Sequence, residues 1–209
     1  MSTRVKFCGC TSWDDVALAA QAGADAFGMI FAPSERQIAW EAARDIAARL
    51  DDRITPVGVF VNPSRADIKR ARTLFPTLVV QLSGDETPAF VRGTEGTIVK
   101  AIRVTPDAGD AELEARCNRY PSTLILFDTK IAGSYGGTGL RFDWSKVARL
   151  ARLRPVVVAG GLTVDNVGAC VRAVHPAWVD VRSGIETAGR KDVEKMQQFI
   201  RAVRENDAA

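Results

Sequence analysis

The chain has almost no histidine: His175 is the only one among 209 residues. A metal site built from several histidines is therefore impossible, and a Ser-His-Asp triad would have to use this one side chain. His175 precedes Pro176 between an expected helix and an expected strand, where a structural or solvent-facing role is favoured. The acid–base chemistry of the protein must then rest mainly on other residue types.

Cysteines are also few, and their spacing matches no zinc finger. The four are Cys8, Cys10, Cys117 and Cys170. Cys8-Gly9-Cys10 alone brings too few ligands together for a soft-metal site, so no metal is expected. A disulfide framework is not expected either, because the polar N-terminus lacks the apolar core of a secretory signal. We therefore expect a protein of the reducing cytoplasm.

Excess charge and long apolar runs are missing as well. The 28 Lys and Arg residues nearly balance 25 Asp and Glu, which leaves a net charge of +3 and argues against a strongly basic nucleic-acid-binding surface. No apolar run approaches the roughly 18 residues of a membrane-spanning helix. The chain is nonetheless 46% hydrophobic, which argues against disorder and supplies a buried core.

What the chain does contain is an alternation of short, β-branched apolar segments with amphipathic segments. The predicted strands cover residues 5–8, 26–31, 56–61, 78–82, 97–104, 123–127, 156–159 and 178–181. The predicted helices cover residues 12–22, 40–50, 64–74, 87–92, 108–120, 142–153, 164–174 and 192–203. Strands separated by helices pair in parallel, and eight such units favour a closed barrel. We predict an α/β fold in which residues 1–209 form a single-domain (β/α)8 TIM barrel; an open doubly wound sheet is the alternative.

The residues that follow each strand are the candidates for chemistry, because the active site of a parallel barrel lies at the C-terminal ends of its strands. Gly160-Gly161 after the seventh strand allows backbone N–H groups to approach an anion closely. Gly184 after the eighth strand could begin a short extra helix, whose N-terminus would point more N–H groups at the same anion. Tight turns are the alternative, but both loops together favour a divided phosphate site.

Another glycine-rich segment, residues 136–139, lacks the Lys-Ser/Thr of a phosphate-binding P-loop. It lies in a longer glycine-rich stretch, residues 132–140, which we interpret as a mobile loop over the site.

Cys8 and Asp128, at the ends of the first and sixth strands, are the candidate acid–base pair. A thiol at a strand end is by itself more typical of a core residue, whereas a buried carboxylate needs partners or a function. A protonated carboxyl and a thiolate that face each other across a phosphorylated sugar would suit proton transfer. This interpretation requires a site that lowers the pKa of Cys8.

A series of motifs runs along nearly the whole chain. They are residues 5–11, 22–25, 57–62, 80–82, 136–139, 142–144, 159–162, 166–167, 179–186 and 189–192. In order and spacing the set resembles the phosphoribosylanthranilate isomerases, the (β/α)8 enzymes of tryptophan biosynthesis. The resemblance implies an Amadori rearrangement in which Asp128 is the general acid that opens the furanose ring. Cys8 would then be the general base that removes the C2′ proton.

The resemblance also implies how the substrate is held. Arg36 would pair with the anthranilate carboxylate, because a guanidinium fork matches a carboxylate; without the motif, Arg36 would be interpreted as an exposed loop residue. The other implied contacts are Gln81, Gly160, Gly161, Asp180, Ser183 and Gly184. The implied chemistry uses no metal and no cofactor. The expected partner is a small phosphorylated sugar–anthranilate, with neither nucleic acid nor membrane, and the expected state is a monomer, with a homodimer as the alternative.

Two positions depart from the resembled pattern. Ser83 stands where these enzymes often carry histidine, and Arg182 replaces a small or polar residue before Ser183. Arg182 could place a charge beside the phosphate or point into the barrel wall towards a charged partner. Two other functions stay open: the related isomerase of histidine biosynthesis, which carries aspartate where Cys8 stands, and a non-catalytic barrel that binds phosphorylated sugars.

Overall fold

The computed structural model describes residues 2–104, 108–120, 123–128 and 144–207. Eight parallel strands in this part close into a barrel, in which each strand pairs with the next along the chain and the eighth pairs with the first. The strands are β1 (Arg4–Cys8), β2 (Ala26–Ile30), β3 (Thr55–Phe60), β4 (Val79–Leu82), β5 (Ile98–Arg103), β6 (Leu124–Asp128), β7 (Val156–Ala159) and β8 (Trp178–Val181). The predicted (β/α)8 fold is confirmed, and the open sheet is wrong.

Helices follow the strands on the outside of the barrel. They are α1 (Trp13–Ala22), α2 (Trp40–Arg49), α3 (Arg65–Leu74), α4 (Pro88–Arg92), α5 (Asp110–Asn118), α6 (Ser145–Ala151), α7 (Val164–Val174) and α8 (Val193–Asp207). Most predicted boundaries differ from these by one or two residues. The predicted loop 132–140 and the first residues of the predicted sixth helix lie outside the described residues.

Local chemistry explains where several helices begin and end. The Ser12 side chain accepts a hydrogen bond from the backbone N–H of Asp15 at the start of α1, and Gly23 ends that helix at a φ of 91°. Ser64 and Asp67 form a reciprocal capping box at the start of α3. His175 ends α7 in the left-handed region, at a φ of 48°, and its side chain is exposed. The structural role predicted for His175 is therefore confirmed.

Two apolar layers share the strands. Outward-facing strand residues pack against the helices, and inward-facing residues fill the barrel. The buried residues of the inner layer are Ala26, Val57, Val79, Val99, Leu126, Val157, Ala159 and Trp178. The guanidinium of Arg4 lies 4.3 Å from the centre of the Trp178 ring at the N-terminal end of β1. Among the described helices, none is long and apolar enough to cross a membrane.

Candidate active site

Polar side chains replace the apolar layer towards the C-terminal ends of β6, β8 and β1. Asp128 of β6 is paired in register with Ala159 of β7, and Ala159 is paired with Asp180 of β8. Asp180 in turn pairs with Lys6 of β1, and Cys8 lies two residues further along the same face of β1. The fold therefore brings the predicted acid and base to one mouth of the barrel, on strands separated by β7 and β8.

Cys8 lies against a buried ion pair. Lys6 Nζ is 2.8 Å from Asp180 Oδ2, and the two side chains are only 2% and 6% exposed. Gly28 on the adjacent strand makes room for this group, since a Cβ atom there would lie 2.9 Å from Cys8 Sγ and 2.9 Å from Lys6 Nζ. A larger residue at position 28 would therefore displace the thiol or the ammonium.

The expectation that the site lowers the pKa of Cys8 is wrong. Burial raises the pKa of the Cys8 thiol, and the positive charge of Lys6 opposes that effect without reversing it. Asp180 raises the pKa of Cys8 further, whereas Lys191 lowers it. Burial acts to lower the pKa of Lys6, but the negative charge of Asp180, with a smaller contribution from Cys8, leaves it raised. The ammonium of Lys6 is thus held in its charged form beside the thiol.

Asp128 is the last residue of β6 and is half-buried. Its backbone carbonyl accepts a hydrogen bond of 3.2 Å from the N–H of Val104, which ties the end of β6 to the end of β5. Because the preceding Phe127 is fully buried among the outer apolar residues, the alternation of β6 turns the Asp128 side chain towards the barrel interior. The carboxyl is therefore positioned by the strand itself.

The glycines after β7 and β8 lie in two loops at this end of the barrel. Gly160 and Gly161 have φ values of 88° and 65°, which favour glycine. A Cβ atom at Gly184 would lie 2.0 Å from the carbonyl oxygen of Leu162, so the two loops approach closely. The predicted extra helix is a single 3-10 turn, Ser183–Ile185. A short hairpin of β9 (Glu186–Thr187) and β10 (Arg190–Lys191), which the sequence did not predict, follows it.

Arg36 spans from the loop after β2 to this hairpin. Its Nη2 atom lies 3.3 Å from Glu186 Oε2 and also donates a hydrogen bond to the carbonyl of Gly189. Glu186 Oε1 lies 3.0 Å from Lys191 Nζ, which in turn donates a 2.6 Å hydrogen bond to the carbonyl of Cys8. The contact between Arg36 and a substrate carboxylate stays a prediction. Glu186 and Lys191 were missed in the sequence, although both lie directly beside the predicted phosphate motif.

The remaining predicted residues lie at the same mouth. Gln81 on β4 is buried; its Nε2 atom lies 3.3 Å from Ser83 Oγ, and its Oε1 atom has no hydrogen-bond partner among the described residues. Arg182 is exposed, and its aliphatic carbons lie over Gly9. Arg182 forms no ion pair with any other described residue, and both interpretations of its role stay predictions.

Lys6 was not singled out from the sequence. A usable signal was present, because residues i and i+2 of a strand share one face and Lys6 must therefore face the same way as Cys8. Lysine is rarely buried unless it is paired, so its position in the interior implies a partner that the sequence does not identify.

Comparison with known proteins supplies the family. The model of the N-(5′phosphoribosyl)anthranilate (PRA) isomerase family matches residues 5–202. The chain belongs to this family. It is 45% identical over 208 residues to the N-(5′-phosphoribosyl)anthranilate isomerase of Pseudomonas putida, with 98% of each chain covered. The barrel is accordingly an isomerase of this family.

Solved structures of the isomerase family superpose closely on this member. The phosphoribosyl anthranilate isomerase of Thermotoga maritima has a TM-score of 0.86 at 36% identity and covers 97% of this chain and 99% of its own. A second isomerase structure, in complex with reduced 1-(o-carboxyphenylamino)-1-deoxyribulose 5-phosphate, has a TM-score of 0.83 at 33% identity, with 97% and 99% covered. The family's fold and this chain's fold are therefore the same.

Proposed function

We propose that this chain converts N-(5′-phosphoribosyl)anthranilate into 1-(2-carboxyphenylamino)-1-deoxyribulose 5-phosphate, with Asp128 as the general acid and Cys8 as the general base. Its family makes it an isomerase of tryptophan biosynthesis. The observation that supports the two roles is their placement. Both side chains face inwards at the same end of one closed barrel, with two strands between them.

Asp128 acts in the first step, which opens the sugar ring. The protonated carboxyl donates its proton to the furanose ring oxygen, and the bond between that oxygen and C1′ breaks. The electron pair of the amine nitrogen forms the C1′=N bond, which gives a protonated Schiff base. A carboxyl at the end of β6, half-buried in the mouth, suits this role because little water competes for its proton.

Cys8 acts in the second step. Its thiolate takes the C2′ proton, so that an S–H bond forms and the C2′–H bond breaks. The electron pair becomes the C1′=C2′ bond, and the Schiff-base nitrogen is neutralised; tautomerisation of the resulting enolamine gives the ketose. Because the pKa of Cys8 is raised, little of it is thiolate, but the thiolate that forms is a stronger base. The positive charge of the Schiff base, once the ring has opened, favours the thiolate.

Groups distant from the reacting carbons hold the substrate. The backbone of Gly160, Gly161 and Gly184, which carries no side chains, binds the phosphate together with Ser183. Arg36 uses only Nη2 in its contacts with described residues, so the other edge of its guanidinium can bind the anthranilate carboxylate. The bound ligand of the related structure carries the same two groups, a carboxylate and a phosphate.

Two buried oxygen atoms are suited to the sugar itself. Gln81 Oε1 and Asp180 Oδ1 are shielded from solvent and lack hydrogen-bond partners among the described residues. An unsatisfied buried acceptor is costly, and a ligand hydroxyl satisfies it. We assign both to hydroxyl groups of the sugar chain. Residues 1–209 are proposed to act as one catalytic domain on this small phosphorylated substrate.

The test is the separation of turnover from binding. Asp128→Asn and Cys8→Ala should each lower kcat by about 10²–10⁴-fold, because each removes a proton-transfer group and little volume. Binding of the reduced product analogue, measured by calorimetry, should remain. Near-full turnover in either variant would contradict that residue's role. Analogue binding without any turnover in the unchanged protein would instead support the non-catalytic barrel.

A further inference from the structure

A lysine ammonium lies beside the candidate base, and a buried ion pair anchors it there. Lys6 is 2% exposed and is anchored by Asp180 at 2.8 Å. The Cβ that Gly28 lacks would contact both Cys8 Sγ and Lys6 Nζ at 2.9 Å, so the two atoms border the same small space. The positive charge of Lys6 lowers the pKa of Cys8, against the larger effect of burial. The position and the burial of Lys6 therefore both place its ammonium beside the thiol.

The other charges around Cys8 do not replace Lys6. Asp180, from β8, is an anion and disfavours the thiolate. Lys191, from the hairpin, is committed to the carbonyl of Cys8 and to Glu186. The element on the other side of β1 presents Gly28, which has no charge. Cys10 is fully buried, and its pKa of about 12 keeps it neutral.

We infer that Lys6 is a positioning residue of this isomerase, whose ammonium favours the proton-accepting thiolate of Cys8, while Asp180 keeps Lys6 charged in the barrel interior. The inference rests on the proposed role of Cys8 as the base. Lys6 takes up no proton in the reaction. Its ammonium offsets the cost of a buried thiolate, and that offset is lost when the charge is removed.

The test removes the charge and measures the ionisation of Cys8 directly. In Lys6→Met, alkylation of Cys8 by iodoacetamide should reach the same rate only at a higher pH. The thiolate is the reacting form, and it loses a cation that lowers the pKa of Cys8. At neutral pH the rate should fall by at least about tenfold, the effect of one pKa unit. The other three cysteines are at most 1% exposed, and Cys8→Ala supplies their background.

Steady-state kinetics provide the second readout. The pH at which kcat/KM reaches half its maximum should rise in Lys6→Met, with kcat affected more than KM. Lys100→Met is the matched control, because Lys100 and Glu86 form an equally buried ion pair at 3.0 Å on the outside of the barrel. Its alkylation and activity profiles should match those of the unchanged protein. If Lys6→Met does not fold, the double variant Lys6→Met/Asp180→Asn removes both charges. The pH at which Cys8 is alkylated should still be higher in this variant than in the unchanged protein.

The inference and the proposed function fail in different ways. Superimposable alkylation profiles for Lys6→Met and the unchanged protein would overturn the inference, whatever the activity. The same upward shift in Lys100→Met would also overturn it, because the effect would then follow from the loss of any buried pair. Retained turnover in Cys8→Ala would overturn the role of Cys8, and with it the catalytic meaning of Lys6.

Discussion

Two lysine–carboxylate pairs are buried in the barrel wall, and they differ in what surrounds them. Lys6–Asp180 points into the barrel, whereas Lys100–Glu86 points out of it towards the helices. The direction of Lys100 follows from the alternation along β5, since Val99 belongs to the inner layer and Ile98 to the outer one. Both pairs are almost fully buried, so burial alone does not separate their roles.

The two ion pairs differ in how fully their polar atoms are hydrogen-bonded. Lys100 also donates to the carbonyls of Leu82 and Gly84, and Glu86 accepts from the backbone N–H groups of Asn62 and Gly84. This outer pair ties the ends of β3, β4 and β5 together. In the inner pair, Asp180 Oδ1 has no hydrogen-bond partner among the described residues. A buried acceptor without a partner requires a specific explanation, which the proposed contact with the sugar supplies, whereas the saturated pair needs none beyond its structural role.

The largest expected contrast is in stability. Lys100→Met leaves Glu86 buried without its cation, and breaking a buried pair in this way costs about 3–5 kcal/mol in the free energy of unfolding. Urea denaturation should show that loss, while kcat of the folded protein stays within about twofold. A large loss of kcat without a loss of stability would contradict the structural role of the outer pair. The double variant Lys100→Met/Glu86→Gln should recover part of the stability, since it leaves no unpaired charge.

Two glycines test the same contrast between the inner and the outer layer, through the room that they leave for neighbouring side chains rather than through charge. A Cβ at Gly28 would press on Cys8 and Lys6, whereas a Cβ at Gly58 would press on the ring of Phe60 at 2.8 Å, in the outer layer. Overpacking costs about 1–3 kcal/mol at either position. Gly28→Ala should in addition lower kcat and shift the pH profile. Gly58→Ala, measured by the same assays, should lower stability alone; equal effects on kcat would refute this distinction.

The smallest expected effect concerns two loop arginines at opposite ends of the barrel. Arg36→Ala should raise KM by about tenfold and change kcat less, because it removes a charge-assisted contact distant from the reacting carbons. Arg53 pairs with Asp51 in the exposed loop before β3, so Arg53→Ala should leave KM unchanged. Steady-state kinetics on both variants decide the point. An unchanged KM in Arg36→Ala would remove Arg36 from the substrate-binding residues.

Much of the fold was predictable, because the signals are local. Strands that are covered on both faces are apolar throughout, as residues 156–159 show, and a serine with an acidic residue three positions later predicts a helix start, as at Ser64. Strand ends then indicate where the site lies. The hairpin after β8 was missed because each of its strands has only two residues, which is too short for a periodic pattern.

By itself the sequence determined the barrel, the end of it that carries the chemistry and the candidate pair Cys8 and Asp128, because all three depend on residue type and order. Only the tertiary structure decided the surroundings of that pair. The ion pair between Lys6 and Asp180 joins residues 174 positions apart, and the room for it comes from Gly28 on a third segment. The pKa of a buried thiol depends on such neighbours and on desolvation. The structure therefore reversed the expected direction for Cys8.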